Sequence, residues 1–190
     1  MSTLDNPNLI DPSTVPYAKK AFNQGPVAAL ILIAIGLVFN LTGLVEPGKN
    51  DAMAWIVNIV NIGVIGYFIY TAATKHRDED LGGYISFGRA FGVGAIVILA
   101  VAVITMVWSY IYFAYIDPGV FETIKQGAME QMMNQQGMSE EDAEQALNTM
   151  SFMWKPGVMS LMTGVSIGFF GLIVALIVSA VVKKDNPAFA

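Results

Sequence analysis

Four stretches of this chain are so long and so apolar that a lipid bilayer is the one solvent able to accommodate them all. They run over residues 26–45, 52–74, 85–116 and 156–182. Roughly 20 apolar residues in helical form cross about 30 Å of hydrocarbon. Backbone polar groups in lipid must be satisfied within the segment, so each stretch predicts a helix. Composition leaves little alternative. Residues of the AVILMFWYC set make up 55% of the chain and charged residues 13%, with a mean hydropathy of +0.56, where soluble domains carry about 25% charged residues. In 190 residues so many apolar side chains cannot be hidden in one small core. The expected fold is an all-α membrane protein: four transmembrane helices, with a short helical extracytoplasmic cap between the third and the fourth.

The boundaries carry local signals. Pro26 suits the first turn of the first span, where its missing N–H costs nothing. The turn Glu46-Pro47-Gly48-Lys49-Asn50-Asp51 closes a hairpin, with Asp51 as N-cap of the second span. The third stretch would reach about 48 Å at 1.5 Å per residue, longer than a plain crossing. Its one internal charge, Arg89, is expected to snorkel to the headgroups. Residues 1–17 hold Asp5, Asp11, Pro7, Pro12 and Pro16 where a cleavable signal would open with basic residues. They read as a flexible cytoplasmic tail. Residues 18–184 form the four-helix domain, and 185–190 form a second cytoplasmic tail.

Orientation follows the cations. Lys19, Lys20, Lys75, Arg77, Arg89, Lys183 and Lys184 flank one side, and Lys49, Lys125 and Lys155 flank the other. Both termini are therefore expected in the cytoplasm. Two aromatic sets agree with this frame: Trp55, Trp108, Tyr110, Tyr112, Tyr115 and Trp154 at the outer interface, and Tyr17, Tyr67, Tyr70 and Tyr84 at the inner one.

The insert 117–155 reads as two short amphipathic helices. Phe121, Ile124, Ala128 and Met132 form one apolar stripe; Ala143, Leu147, Met150 and Trp154 form another. Gly137 separates the two. Ser139 followed by Asp142 approximates a capping box, and Glu140, Glu141 and Asp142 occupy the first turn, where the helix dipole favours anions. The two stripes are expected to face each other or the membrane surface.

Intramembrane catalysis and proton relays need ionisable groups at depth. Apart from Arg89 near one edge, the four stretches hold none, so no catalytic residues are assigned. His76, the one histidine, stands in a charged loop and is expected to be solvated and inert. With no cysteine and a net charge of −5, thiolate metal sites and nucleic-acid binding are excluded. Asn40, Asn58 and Asn61 are the deep polar side chains. Asn58 and Asn61, on one face of the second span, read as interhelical hydrogen-bonding residues, with Asn40, Thr105 and Thr163 as candidate partners; alternatively Asn40, Asn58 and Asn61 line a polar path. Gly88/Gly92 and Gly164/Gly168 form GxxxG patterns that suit close helix packing or a homodimer face. Met129/Met132 and Met150/Met153 have spacing that soft Cu(I) ligation tolerates. Without a nearby His or Cys, an adaptable apolar face is the simpler reading. No cofactor or resident metal is expected.

One longer pattern adds to this. The string Leu81-Gly82-Gly83-Tyr84-Ile85-Ser86-Phe87-Gly88-Arg89-Ala90-Phe91 leads into the third span. That span ends in Asp117-Pro118, a Met-rich region follows with Gly137-Met138-Ser139-Glu140-Glu141, and a last span closes the order. Over residues 18–184 the chain resembles the DUF4199 family, four-span membrane proteins of unknown function from Bacteroidota. The resemblance implies a bacterial inner-membrane location and implies no activity. The functional expectation is a non-enzymatic inner-membrane component whose partners are the bilayer and another membrane or periplasmic protein, or itself as a homo-oligomer. A small transporter, channel or lipid-handling protein is the alternative, and a copper-binding protein a remote one.

Overall fold

Long runs of Ala, Val, Ile and Leu interrupted by small residues form helices that approach one another closely, and the computed structural model describes such helices over residues 11–45 and 52–185. They are α1 (Ala18–Leu41), α2 (Ala52–Lys75), α3 (Phe87–Ile111), α4 (Val120–Gln136), α5 (Glu140–Thr149) and α6 (Pro156–Val182). A π-helical turn, His76–Asp80, extends α2, and a second, Tyr112–Ile116, extends α3. Four helices are long and apolar enough to cross a membrane: Ala18–Leu41, Ala52–Asp80, Phe87–Ile116 and Pro156–Val182. This is an all-α membrane protein with a helical hairpin, α4–α5, between its third and fourth spans.

The first span differs from its sequence expectation at its start. It begins at Ala18, which places Pro26 inside the helix instead of in its first turn. Packing explains the extension. Ala21, Gly25, Ala28 and Ala29 are buried, so contacts along one face offset the hydrogen bond that proline cannot donate. The turn 46–51, with its proposed Asp51 cap, lies outside the described residues, as do 1–10 and 186–190. Of the segment read as a flexible tail, residues 11–17 are described. Asp11 caps a 3-10 turn over Pro12–Thr14, its carboxylate accepting from the Ser13 N–H at 2.8 Å.

The chain divides into two units. The first comprises residues 11–30, Ile62–Ala102 and 167–185. Its core is built on α3, where Ala90, Val93, Val97 and Val101 recur at spacings of 3, 4 and 4 and are buried. Ile65, Phe68, Ile69, Ala72 and Ala73 of α2 and Ala175, Ser179 and Val182 of α6 complete it. Ser179 is satisfied within its helix, donating to the Ala175 carbonyl at 2.6 Å. Small residues set the helix spacing. A Cβ at Gly94 would lie 3.0 Å from both Ile69 Cγ2 and Ala175 Cβ. One at Gly171 would lie 2.6 Å from Ile98 Cδ1, and one at Gly25 would overlap Ala100 Cβ.

The second unit comprises Ile31–Asn61 and Val103–Ser166. Here α4 and α5 pack against each other, with Ala143 and Leu147 buried. The stripe expected to face inward on α5 does so at these two positions, while Met150 remains 45% exposed. Gly137 ends α4 at φ +65°, a left-handed conformation that glycine adopts without Cβ strain. Ser139 caps α5, its hydroxyl oxygen accepting from the Asp142 N–H at 3.2 Å. By contrast, every buried residue of α1 and α2 lies in the first unit. Among the described residues of the second unit, 31–45 and 52–61 contribute none. The two aromatic sets divide the same way: the Trp55 set falls in the second unit and the Tyr17 set in the first.

Candidate functional site

Two places in the fold bring polar chemistry together, one in each unit. In the first unit the centre is His76. The sequence reading of a solvated histidine is overturned: the His76 side chain is 2% exposed. The π turn carries it inward, beside Asp80 one helical turn later. Its Nδ1 lies 2.8 Å from Asp80 Oδ2, and Arg89 Nε donates to its Nε2 at 3.0 Å. These partners settle the tautomer. A guanidinium can only donate, so Nε2 is the bare acceptor and Nδ1 carries the proton toward Asp80. The imidazole is neutral.

Arg89, expected to reach the headgroups, makes contacts within the chain. Its Nη2 donates to the Val15 carbonyl, and its guanidinium sits 4.9 Å above the Tyr17 ring. The Tyr17 ring in turn lies 5.7 Å from the His76 ring. Gly92 makes room, because a Cβ there would stand 2.7 Å from the Tyr17 hydroxyl. Lys20 reaches Asp80 Oδ1 at 2.5 Å and Glu79 at 3.6 Å. Two further ties close the knot. Arg77 Nη1 donates to the Val182 carbonyl at 3.2 Å, completing the C-terminal end of α6 where cations are favoured. Ile85 and Lys184 exchange a pair of backbone hydrogen bonds at 2.9 Å. Residues 11–17, the α2–α3 turn and the end of α6 are thereby held on one side of the bundle.

His76 and Asp80 stand past the apolar run 52–74, on the charged turn His76–Asp80 that follows it. Burial holds the imidazole below its ordinary value of 6.5, against the upward pull of the Asp80 hydrogen bond, and the Arg89 charge adds to the lowering. The Lys20 hydrogen bond, and then that of His76, hold Asp80 below the usual carboxylate range. Both ring nitrogens and both carboxylate oxygens are engaged, so the cluster fastens these segments and orients its own side chains. Its members are 13 and 74 residues apart from Arg89. The sequence signal that could have found it is local: a His and an Asp four apart on one helix face, near an arginine that lipid cannot solvate.

The second place is the α4–α5 hairpin. A cleft of about 270 Å³ is lined by Glu122, Lys125, Met129, Glu140, Glu144 and Leu147. Met129 is half-buried there. Met132 and Met153 are also half-buried, and Met150 is exposed. Trp154 Nε1 donates to the Leu147 carbonyl at 3.3 Å, folding the chain after α5 back onto that helix.

The remaining sequence candidates are spread out. Asn40 Oδ1 lies 3.2 Å from the Tyr112 hydroxyl, which also lies 3.4 Å from Asp117 Oδ2 and donates to one of them at a time. Asn58 is exposed, and the Oδ1 of half-buried Asn61 is enclosed without a hydrogen-bond partner. Thr163 bonds to the Met159 carbonyl of its own helix. Of the GxxxG glycines, Gly92 packs on Tyr17 and Gly164 is buried, while Gly88 and Gly168 face open space. The close helix contacts instead use Gly25, Gly94 and Gly171, which the spacing rule did not single out.

A family model described as "Protein of unknown function (DUF4199)" matches residues 23–184, most of the chain. The chain belongs to the DUF4199 family. No curated protein and no solved structure matches it. The DUF4199 match takes in His76, Asp80, Arg89 and the whole hairpin, whereas Val15, Tyr17 and Lys20, which complete the His76 knot, precede its first residue.

Proposed function

We propose that this DUF4199 protein is a non-enzymatic component of a bacterial inner membrane, with both ends in the cytoplasm. Its bundle is a scaffold that presents the α4–α5 hairpin to a partner protein. The observation that carries this reading is where the charge lies. Residues 117–155 hold seven carboxylates and two lysines, a net −5, equal to the net charge of the entire chain. Everything else sums to zero, so the hairpin alone supplies a long-range field, and that field selects a cationic partner surface. The cleft gives such a partner a polar rim over Met129 and Leu147, and methionine adapts to whatever it meets. The non-enzymatic reading draws support from the His76 cluster, whose groups are all engaged with one another. A polar path draws less, since Asn40 pairs with Tyr112 and Asn58 faces outward.

The test is affinity purification from native membranes. Glu140→Lys with Glu144→Lys leaves the packed face of α5 intact and should remove the proteins that co-purify with the native chain. Replacing residues 120–149 by a short Gly-Ser linker should do the same. An unchanged set of co-purifying proteins with both variants overturns the proposal.

A further inference from the structure

The His76 imidazole makes two hydrogen bonds that respond differently to a proton. The bond to Asp80, at 2.8 Å from Nδ1, survives protonation, because Nδ1 already carries a hydrogen and the carboxylate accepts it. The bond from Arg89 Nε to Nε2, at 3.0 Å, does not. Once Nε2 bears a proton it donates, as the guanidinium does, and two like charges face each other. The ring is enclosed, so solvent screens little of that repulsion. Asp80 keeps the imidazole in place, and Arg89 is the group that must move.

What Arg89 holds in turn is the segment before α1. Its Nη2 donates to the Val15 carbonyl. Among the described residues, the other hydrogen bonds of residues 11–15 stay within the segment: Ser13 and Thr14 bond to Asp11, and the Val15 N–H to the Pro12 carbonyl. Asp11, Pro12, Ser13 and Thr14 are exposed, so burial adds little to this grip. The charges around His76 do not replace it. Lys20 of α1 is engaged with Asp80 and Glu79, and Arg77 is paired with Asp78. At the end of α6, Lys183 pairs with Asp185 and Lys184 lies over the Tyr84 ring. Asp11 feels the Arg89 charge, but across solvent, where such attraction is weak. The Tyr17 ring, between His76 and Arg89, stays seated over Gly92.

We propose that His76 is the catch of a proton-operated latch: a proton bound at Nε2 displaces Arg89 and releases residues 11–15 while the helices stay packed. The closed form requires a bare Nε2, so release sets in below the ordinary imidazole value of about 6.5. The hairpin takes no part, and the inference is independent of the function proposed for it.

The test is a nitroxide on Ser13→Cys in the full chain, which has no cysteine of its own, held in lipid nanodiscs that expose both faces to buffer. The label should be restricted at pH 7.5, gain a mobile component between pH 6.5 and 5, and revert when the pH is restored. The ratio of mobile to restricted signal should grow by at most about tenfold per pH unit, as one proton dictates. A nitroxide on Glu141→Cys should not respond, nor should helicity by circular dichroism. In His76→Gln, whose amide oxygen can still accept from Arg89 but takes up no proton, the Ser13 label should stay restricted at pH 5. Arg89→Gln leaves His76 in place and should free the label already at pH 7.5. A Ser13 label equally mobile at pH 7.5 and 5 overturns the latch. So does a His76→Gln chain that follows the native profile, or an Arg89→Gln chain whose label stays restricted at pH 7.5. Mobility gained together with the Glu141 label, or with loss of helicity, is unfolding of the whole chain and overturns it equally.

Discussion

His76 shows how far one side chain's environment can depart from its sequence neighbourhood. Charged residues flank it on both sides, yet it is enclosed because three partners arrive from elsewhere: Asp80 from one turn on, Arg89 from the next helix and Tyr17 from the segment before α1. Its neutral form is the one that the structure stabilises. When folded, its pKa lies below that of the unfolded chain, so on acidification the unfolded chain binds the proton first. The stability contribution is complete above about 6.5 and declines as pH falls below that value. Asp80, also lowered, contributes in the same direction at more acidic pH, being lost as pH falls through its folded value. The thermal midpoint in detergent should therefore be flat from pH 8 to 7 and fall between 6.5 and 5. In His76→Gln that decline should be shallower. A native chain as stable at pH 5.5 as at pH 7.5 would contradict the neutral assignment.

At the scale of elements, helix contact is decided by what stands opposite a glycine, and sequence spacing does not record that. Gly25→Ala forces a new methyl against Ala100 Cβ and to 3.0 Å from the Val97 carbonyl. With backbone on the far side, relief needs helix movement, and a loss of about 1–3 kcal/mol is expected. Gly168→Ala meets open space and should be neutral or slightly stabilising, because alanine is the better helix former. Unfolding of the two variants side by side would check this contrast. The same distinction explains what was legible. The four spans, the α4–α5 hairpin, the Gly137 break and the Ser139 cap were all readable, since each rests on periodicity or on residues within four of one another. The start of α1 at Ala18 was not, because Ala21 and Gly25 become helical through contacts with other parts of the chain. Nor was the His76 knot, whose partners meet only after the bundle closes. Of the candidate residues, Asn40, expected as a partner for Asn58 and Asn61, is paired with Tyr112.

For the whole molecule, the two ties from Arg89 to Val15 and from Ile85 to Lys184 hold three chain segments together beside the His76 turn, as the proposed topology with both ends in the cytoplasm needs. With an even number of spans, that is the arrangement the cation distribution also requires. Single cysteines replacing Ser13, Asp78 and Asp185, one per variant, should react together with a membrane-impermeant maleimide only after the cytoplasmic face is opened. A cysteine replacing Glu141 should react from the opposite face in sealed vesicles. Labelling of Ser13→Cys and Asp185→Cys from different faces would refute the topology.

The hydrogen bond from Arg77 to the Val182 carbonyl joins residues 105 positions apart. During synthesis the α2–α3 turn is complete long before its counterpart exists. α3, the hairpin and α6 must all be translated and inserted in between. Until then Arg77 Nη1 lacks its Val182 acceptor and Ile85 its Lys184 partner, while Asp78 holds the rest of the guanidinium. A chain stopped before α6 would hold three spans with these groups still unpaired.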